Sequence, residues 1–398
     1  MSLNIVATFV VSGFVTAGAG PYALTPVTLG PPPDGDPIRA IWLYSGTKFD
    51  SDTESQAVLD FCAREGVNRI YCGAYAVWAN GTSTQKANLR TFLQTAHASG
   101  IRMEALCGDK DWQYDAAKVR SKIDQILALH TATPTNPDDD FDAVHFDVEF
   151  WIDATWTAAG TEAGRQQIAR DYLDNVLVNA RNHLDASGES DMEVAVDLSA
   201  HFNSASYLPS PMLYNGTTQY FVEHVLDLAN DLVFMSYYDS ASSLLNTTSH
   251  ELDWASGKGR RVQLGANIQP GTGINTFADN APTPFSAMTT VLEQYHTLLS
   301  APRLAALDGF SVFHYDGYLA NEPNPHNWAD LDGDGDADLA DYTRFAPYVS
   351  GPAGPASGLA RDGDLTGNGT VALDDFSRFC ECFTGAGVTG PIPQVCER

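Results

Sequence analysis

From Arg39 onward, short apolar runs alternate with stretches whose apolar residues recur at helical spacing. The runs at 40–44, 69–73, 102–107, 143–150, 193–198, 232–237, 262–268 and 309–315 read as eight strands. Between them, 57–65, 88–98, 116–129, 164–184, 220–228 and 285–299 read as amphipathic helices. The segment 240–260, between the sixth and seventh strands, is less clearly helical.

Strands alternating with helices imply parallel pairing through right-handed crossovers. Eight such units in about 280 residues are what an α/β fold of the (β/α)8 TIM barrel type requires. A doubly wound open sheet is the rival, and the closure of the count at eight favours the barrel. In a barrel, function collects at the C-terminal ends of the strands.

The pattern changes at both ends. Residues 1–19 carry an apolar run from Ile5 to Val15 and the small triplet Ala17-Gly18-Ala19, which read as a secretory signal. Residues 20–37, with three consecutive prolines, read as a linker into a barrel over 38–320. A second linker over 321–328 leads to an Asp/Gly-rich module at 329–390 and a tail at 391–398.

Composition narrows the partners. With 22 basic and 50 acidic residues the net charge is −28, which disfavours nucleic acid and anionic membranes. A hydrophobic fraction of 44% suffices for a large core and excludes wholesale disorder. None of the six cysteines forms a CxxC pair, so zinc ribbons and thioredoxin-like redox sites are unsupported. Cys62, Cys72 and Cys107 lie in apolar contexts and read as packing residues. Export would allow Cys396 to bridge Cys380 or Cys382.

Two acidic repeats begin at Asp330 and Asp364. In the first, Asp330, Asp332, Asp334, the Asp336 carbonyl, Asp338 and Asp341 fall at the ligand positions of a 12-residue calcium loop. Gly335 sits where such a loop turns sharply. In the second, Asp364, Thr366, Asn368, the Thr370 carbonyl and Asp375 take the corresponding places. Ala372 offers no ligand there, so the second Ca2+ site is the weaker. Each loop leads into a short helical segment, ADYTRF or DDFSRF. The tandem resembles a type I dockerin module. That resemblance implies attachment of a secreted carbohydrate-active protein to a cohesin-like or cell-surface partner.

The densest chemistry lies in FDAVHFDVEFW, residues 141–151. On a strand, His145, Asp147 and Glu149 share one face and point into the bore. Closely placed carboxylates push one pKa upward, as a general acid requires. Glu149, nearest the mouth, is the natural proton donor, with Asp147 beneath it.

The run resembles the family-18 glycoside hydrolase signature D-G-x-D-x-D-x-E. Asp142, Asp147 and Glu149 match, Ala143 replaces the glycine and His145 replaces the middle acid. The resemblance implies Glu149 as acid/base and Asp147 as the acid that orients a substrate acetamido group. It also implies a contact from Tyr237, since Met235 and Tyr237 match the family's sixth-strand pattern, while Tyr238 and Asp239 shift its acid by one place. On the eighth strand, where the family usually has tryptophan, stand Phe313, His314 and Tyr315.

Asp197 is another acid placed near the mouth, followed by His201. Trp78, Trp112, Trp151, Tyr237 and Tyr238 follow strand ends and could stack on sugar faces. With His145, Asp197, Met235, Asp239 and His314 they complete the expected substrate contacts. The expectation is a secreted, calcium-binding glycosidase acting on a polysaccharide. The alternative is an inactive polysaccharide-binding barrel with an anchoring module. Metal-assisted hydrolysis through His145, Asp147 and Glu149 is a further rival, disfavoured because strand spacing spreads the ligands along the bore.

Overall fold

The computed structural model describes residues 24–27, 38–130, 139–202, 204, 207–269, 276–279, 284–321, 329, 337–346, 349, 371–383 and 385. Eight parallel strands close on themselves: β1 (Ile38–Leu43), β2 (Arg69–Cys72), β3 (Arg102–Cys107), β4 (Ala143–Phe146), β5 (Glu193–Ser199), β8 (Asp231–Met235), β9 (Val262–Asn267) and β10 (Leu307–Phe313). β1 pairs with both β2 and β10, so the sheet has no edge and the open-sheet rival fails. Between β5 and β8 an antiparallel hairpin, β6 (Met212–Tyr214) and β7 (Thr217–Gln219), is inserted.

The helices follow from local chemistry. Helix Asp52–Glu65 starts where the Ser51 side chain accepts from Glu54 N, and it ends at Gly66 with φ 63°. Helix Ser83–Ala98 opens with a capping box between Thr82 and Gln85. The segment 240–260, unclear in the sequence, is a helix over Ala241–Gly257. Its Ser, Thr and Asn residues are weak helix formers and mask the period. Leu244, Thr248, Glu251, Leu252 and Ala255 nevertheless form one buried stripe. The helix expected over 164–184 is interrupted by a wide π turn, Leu173–Val178. There Asp174 accepts the Tyr214 hydroxyl at 2.7 Å and fastens the hairpin.

Two apolar layers result. The larger lies between strands and helices and includes Ile41, Phe61, Phe92, Val144 and Phe310, all buried. Each such side chain contributes about 1.5–3 kcal/mol by leaving water. The smaller fills the bore with Trp42, Tyr71, Leu106 and Val233. Cys62, Cys72 and Cys107 are buried, in keeping with packing roles. Cys380 is free and exposed, whereas Cys382 is disulfide-bonded. Cys396 lies outside the described residues.

Of the first linker, residues 24–27 pack on the barrel. Gln56 bonds the Thr25 backbone at 2.9 and 3.2 Å, and Val27 N donates to Ser99 Oγ at 2.9 Å. The secretory-signal segment lies outside the described residues. Among the described residues, no helix is long and apolar enough to cross a membrane. Near the C-terminus, helices Leu339–Phe345 and Leu373–Cys382 meet through Phe345 and Phe379, whose rings stack 5.2 Å apart.

Candidate active site

The strand carrying the candidate acids is shorter than the apolar run suggests. β4 ends at Phe146, and Asp147, Val148 and Glu149 follow it as irregular backbone. Asp147 N donates to Cys107 O at 3.0 Å, so the chain stays fastened to β3 one residue beyond the strand. Phe150 N to Val148 O at 2.9 Å and Ile152 N to Glu149 O at 3.0 Å then turn it sharply. Val148 is fully buried as the anchor, and Asp147 and Glu149 on either side of it keep partial access. Asp142, at the other end of the strand, accepts from Met103 N at 2.7 Å and contacts His97 Nε2 at 3.1 Å. It holds the foot of the barrel.

Gly108 makes that fastening possible. A Cβ there would stand 1.9 Å from the Asp147 carbonyl oxygen, backbone against backbone. Gly108→Ala is therefore expected to push the Asp147 segment outward. A misplacement of about 1 Å at a reacting group costs roughly 100-fold in rate. A steady-state assay of this variant checks the expectation, and an unchanged rate would free Asp147 from any positional demand.

Below the mouth, the bore holds a row of buried charges. His145 Nδ1 lies 2.7 Å from Glu104 Oε2, and His145 Nε2 lies 3.0 Å from Asp197 Oδ1. The second contact is an ion pair that falls short of a directed hydrogen bond. Trp42 Nε1 donates to Asp197 Oδ2 at 3.1 Å. Glu104 Oε1 accepts from Arg102 Nε at 2.7 Å, with Arg69 Nε 3.7 Å away. Glu104, His145 and Asp197 have no exposed surface.

These contacts set the charges. Burial alone would lower the His145 pKa, but Asp197 and Glu104 overcome it and raise it to about 10. Burial would raise Glu104, but the His145 hydrogen bond and charge, with Arg69 and Arg102, hold it down to about 2. The mouth behaves in the opposite sense. Burial, then the Asp197 and Glu149 charges, push Asp147 well above the ordinary carboxylate value, with His145 a partial counterweight. Burial and Asp197 raise Glu149. Asp147 Oδ1 is buried without a hydrogen-bond partner.

Aromatic rings close the mouth. Tyr237 packs 5.7 Å from Phe313, and the Gly265 position lies against its ring, where an added Cβ would come within 3.0 Å. Burial, then the charges of Tyr44, Asp197, Asp147 and Glu149, raise the Tyr237 phenol. It therefore stays a hydrogen-bond donor. A cavity of about 710 Å³ opens beside Asp147 and is bordered by Tyr44, Tyr75, Gly108, Trp112 and Lys122.

Several expected contacts sit elsewhere. His145 and Asp197 are fully buried beneath the site and present no surface to a sugar. Trp78 is likewise fully buried, packed edge-on to Tyr75 at 5.0 Å. Trp151 belongs to the core with Phe150 and Phe202. Trp112 is mostly buried but borders the cavity. Met235 ends β8 and Tyr238 packs 6.0 Å from His201, both half-buried. Asp239 is exposed. His314 is half-buried beside Tyr44, 6.0 Å between ring centres, after a cis Phe313–His314 peptide bond.

Sequence reasoning missed Glu104, Trp42, Tyr71 and Gly108. Glu104 had a signal, being a charged residue inside the otherwise apolar run MEALC. Trp42 and Tyr71 read as ordinary strand residues, and only closure of the barrel brings them to the charged row. Tyr71 OH donates to Gln263 Oε1 at 2.7 Å, and its ring lies 4.5 Å from that of His145.

Of the calcium-loop residues, Asp338, Asp341 and Asp375 are described. Asp341 and Asp375 are both fully buried. They play equivalent parts: Asp341 Oδ2 accepts from Asp338 N at 2.7 Å, and Asp375 Oδ2 accepts from Ala372 N at 2.8 Å. Asp330, Asp332, Asp334, Asp336, Asp364, Thr366, Asn368 and Thr370 lie outside the described residues. Among the described residues, no three His, Cys, Asp or Glu side chains cluster as metal ligands.

No protein-family model matches the chain, and no curated protein matches it. Among solved structures it is similar to the PgaB (BpsB) glycoside hydrolase domain from Bordetella bronchiseptica, at 12% identity and a TM-score of 0.41, over 74% of this chain and 97% of that one. It is similar to a class V chitinase from Nicotiana tobaccum solved in complex with NAG4, at 10% identity and a TM-score of 0.39, over 71% and 94% of the two chains. A chitinase from Chromobacterium violaceum is similar at 14% identity and a TM-score of 0.38, over 72% and 97%.

Proposed function

We propose that the barrel hydrolyses O-glycosidic bonds of a polysaccharide, with Glu149 as general acid/base and Asp147 as the orienting and stabilising acid. The observation that carries the reading is the pair of carboxyl groups at the end of β4. Both are raised in pKa by burial and neighbouring charge, above a histidine–carboxylate pair that fixes the local field. A proton retained on Glu149 is the one the leaving oxygen needs. The reading calls for a neighbouring acetamido oxygen on the sugar as nucleophile, retention of configuration, and water activated by the ionised Glu149 in the second step. Asp147 holds the acetamido group and faces the positive charge that develops. Tyr237, kept protonated, donates to the same group.

The sign of the pH dependence follows. Glu149 donates only when protonated, so hydrolysis falls as pH rises through its pKa. That alkaline limb lies above the position of an ordinary glutamate, because burial and Asp197 oppose ionisation. A pH–rate profile checks it, and a limb at the ordinary glutamate value would remove Glu149 from the acid role. Asp147→Asn keeps the shape and removes the acid, and a loss of about 100- to 1,000-fold in kcat is expected.

The same proposal makes the chain an exported protein, to which the Cys382 disulfide is suited. The C-terminal module would hold Ca2+ through Asp330, Asp332, Asp334, the Asp336 carbonyl, Asp338 and Asp341. The second, weaker set is Asp364, Thr366, Asn368, the Thr370 carbonyl and Asp375. Bound Ca2+ would neutralise loops that otherwise repel themselves, and it would order the two helices for a cohesin-like or cell-surface partner. The stacked Phe345 and Phe379 and the matched roles of Asp341 and Asp375 support such a duplicated module. Calorimetric Ca2+ titration tests it: two inflections of unequal affinity are expected, and no heat would refute the module.

A further inference from the structure

We propose that Glu104, from β3, is a positioning residue for the carboxyl pair at the mouth, acting through His145 and Asp197 along a buried ladder of alternating charge. The proposal takes its chemistry from the glycosidase reading, but its measurement does not depend on hydrolysis.

The ladder is continuous. Arg102 meets Glu104 at 2.7 Å, Glu104 meets His145 at 2.7 Å, and His145 meets Asp197 at 3.0 Å. Both ring nitrogens of His145 face carboxylates, so the ring cannot turn without losing an ionic contact. Both oxygens of Asp197 are engaged, by His145 and by Trp42 Nε1 at 3.1 Å. A structural ion pair needs one carboxylate, whereas here two flank a single imidazolium. One meets Arg102 at the foot of the barrel, and the other meets Trp42 Nε1. In the family signature this chain resembles, the place of His145 belongs to an acid. The carboxylates now reach that level from β3 and β5 instead, held by a cation from β4.

The other titratable groups around the ladder do not blur it. Tyr44, Tyr71, Tyr172 and Tyr237 are all raised, with burial the first cause of each, and stay neutral. Arg69 at the foot is engaged by Asp231 and by Asp308 at 3.7 Å. The groups left to respond are therefore His145, Asp147 and Glu149.

Two isosteric substitutions must then act in opposite directions. Asp197 raises Glu149, so Asp197→Asn lets Glu149 ionise at lower pH, while at Asp147 the same loss is offset because Asp197 also keeps His145 protonated. Glu104 helps to keep His145 protonated, and protonated His145 lowers Asp147. Glu104→Gln lets His145 lose its proton at lower pH, after which Asp147 ionises at higher pH. A residue that only supports packing would not reverse the sign between the two.

The experiment is an NMR pH titration of the full chain with 13C-labelled carboxyl and 15N-labelled imidazole groups. The expected result is a proton affinity roughly tenfold higher at Asp147 in Glu104→Gln and roughly tenfold lower at Glu149 in Asp197→Asn. Glu104→Asp, which keeps the charge but draws it back from His145, should move Asp147 the same way as Glu104→Gln by less, and it serves if Glu104→Gln does not fold. Shifts of the same sign in both substitutions, or no shift in folded variants, would overturn the ladder. Absence of hydrolysis by the wild type would sink the glycosidase reading and leave these titrations as they stand.

Discussion

Glu149→Gln is expected to lower the hydrolysis of a natural glycan by about 100- to 10,000-fold, the range a positioned general acid supplies. The loss should depend on the leaving group. An aryl glycoside whose leaving oxygen needs no proton should lose far less in its first chemical step than a sugar leaving group does. Equal losses on both substrates would mean that Glu149 does something other than donate a proton. The same variant should be more stable than the wild type. Glu149 has a raised folded pKa, so its contribution to stability is present below the unfolded value and is lost as pH rises through the folded one. Ionising Glu149 in the fold thus creates an unfavourable buried charge, which glutamine avoids. Thermal melts at pH 7 should show Tm rising while activity disappears, and a fall in Tm would show that the carboxylate supports the fold.

His145→Leu has the largest expected effect on stability. It leaves Glu104 and Asp197 buried without the cation between them, and breaking a buried pair in this way costs about 3–5 kcal/mol. Adding Glu104→Leu should recover part of the loss, because one of the stranded charges goes with it. A double-mutant cycle in urea measures the coupling. Strict additivity would show that the two side chains do not act as a pair. The pH dependence has a definite sign. The share of stability from His145 is full below the ordinary histidine pKa and is lost as pH rises through about 10. The share from Glu104 is full above the ordinary glutamate pKa and is lost as pH falls through about 2. Both are fully present only between about pH 4.5 and 6.5.

The barrel was legible because its signal is periodic. Eight apolar runs separated by amphipathic stretches define β/α units whatever the details of their ends. The strand ends were less legible, and the ends carry the chemistry. The run 143–150 looks like one strand, yet β4 stops at Phe146. Apolar Val148 and Phe150 continue the alternation in sequence while the backbone turns away. Asp147 and Glu149 still arrive together, because Gly108 admits the Asp147 carbonyl and Val148 anchors the turn.

Depth in the bore was not legible. Alternation places His145 on the inner face but does not say how far below the mouth it lies. Asp197 and His145 looked like ligand contacts, but both are fully buried. Glu104 and Trp42 come from strands far away in sequence, and the shear of the closed barrel brings them to one level with Asp197. Trp78 illustrates the same limit on the outside. It follows a strand end, as a sugar platform would, but the short helix Tyr75–Trp78 turns it into the core.

In the proposed function, the carboxyl pair at the end of β4 breaks glycosidic bonds. The most direct test is reducing-sugar release by the wild-type chain from a broad glycan panel that includes chitin oligomers, with calcium present and the fold verified by circular dichroism. Release is expected from at least one glycan in the panel, rising as pH falls toward the Glu149 pKa. No release from any glycan by the folded chain would contradict it and would favour a barrel that binds polysaccharide without cutting it.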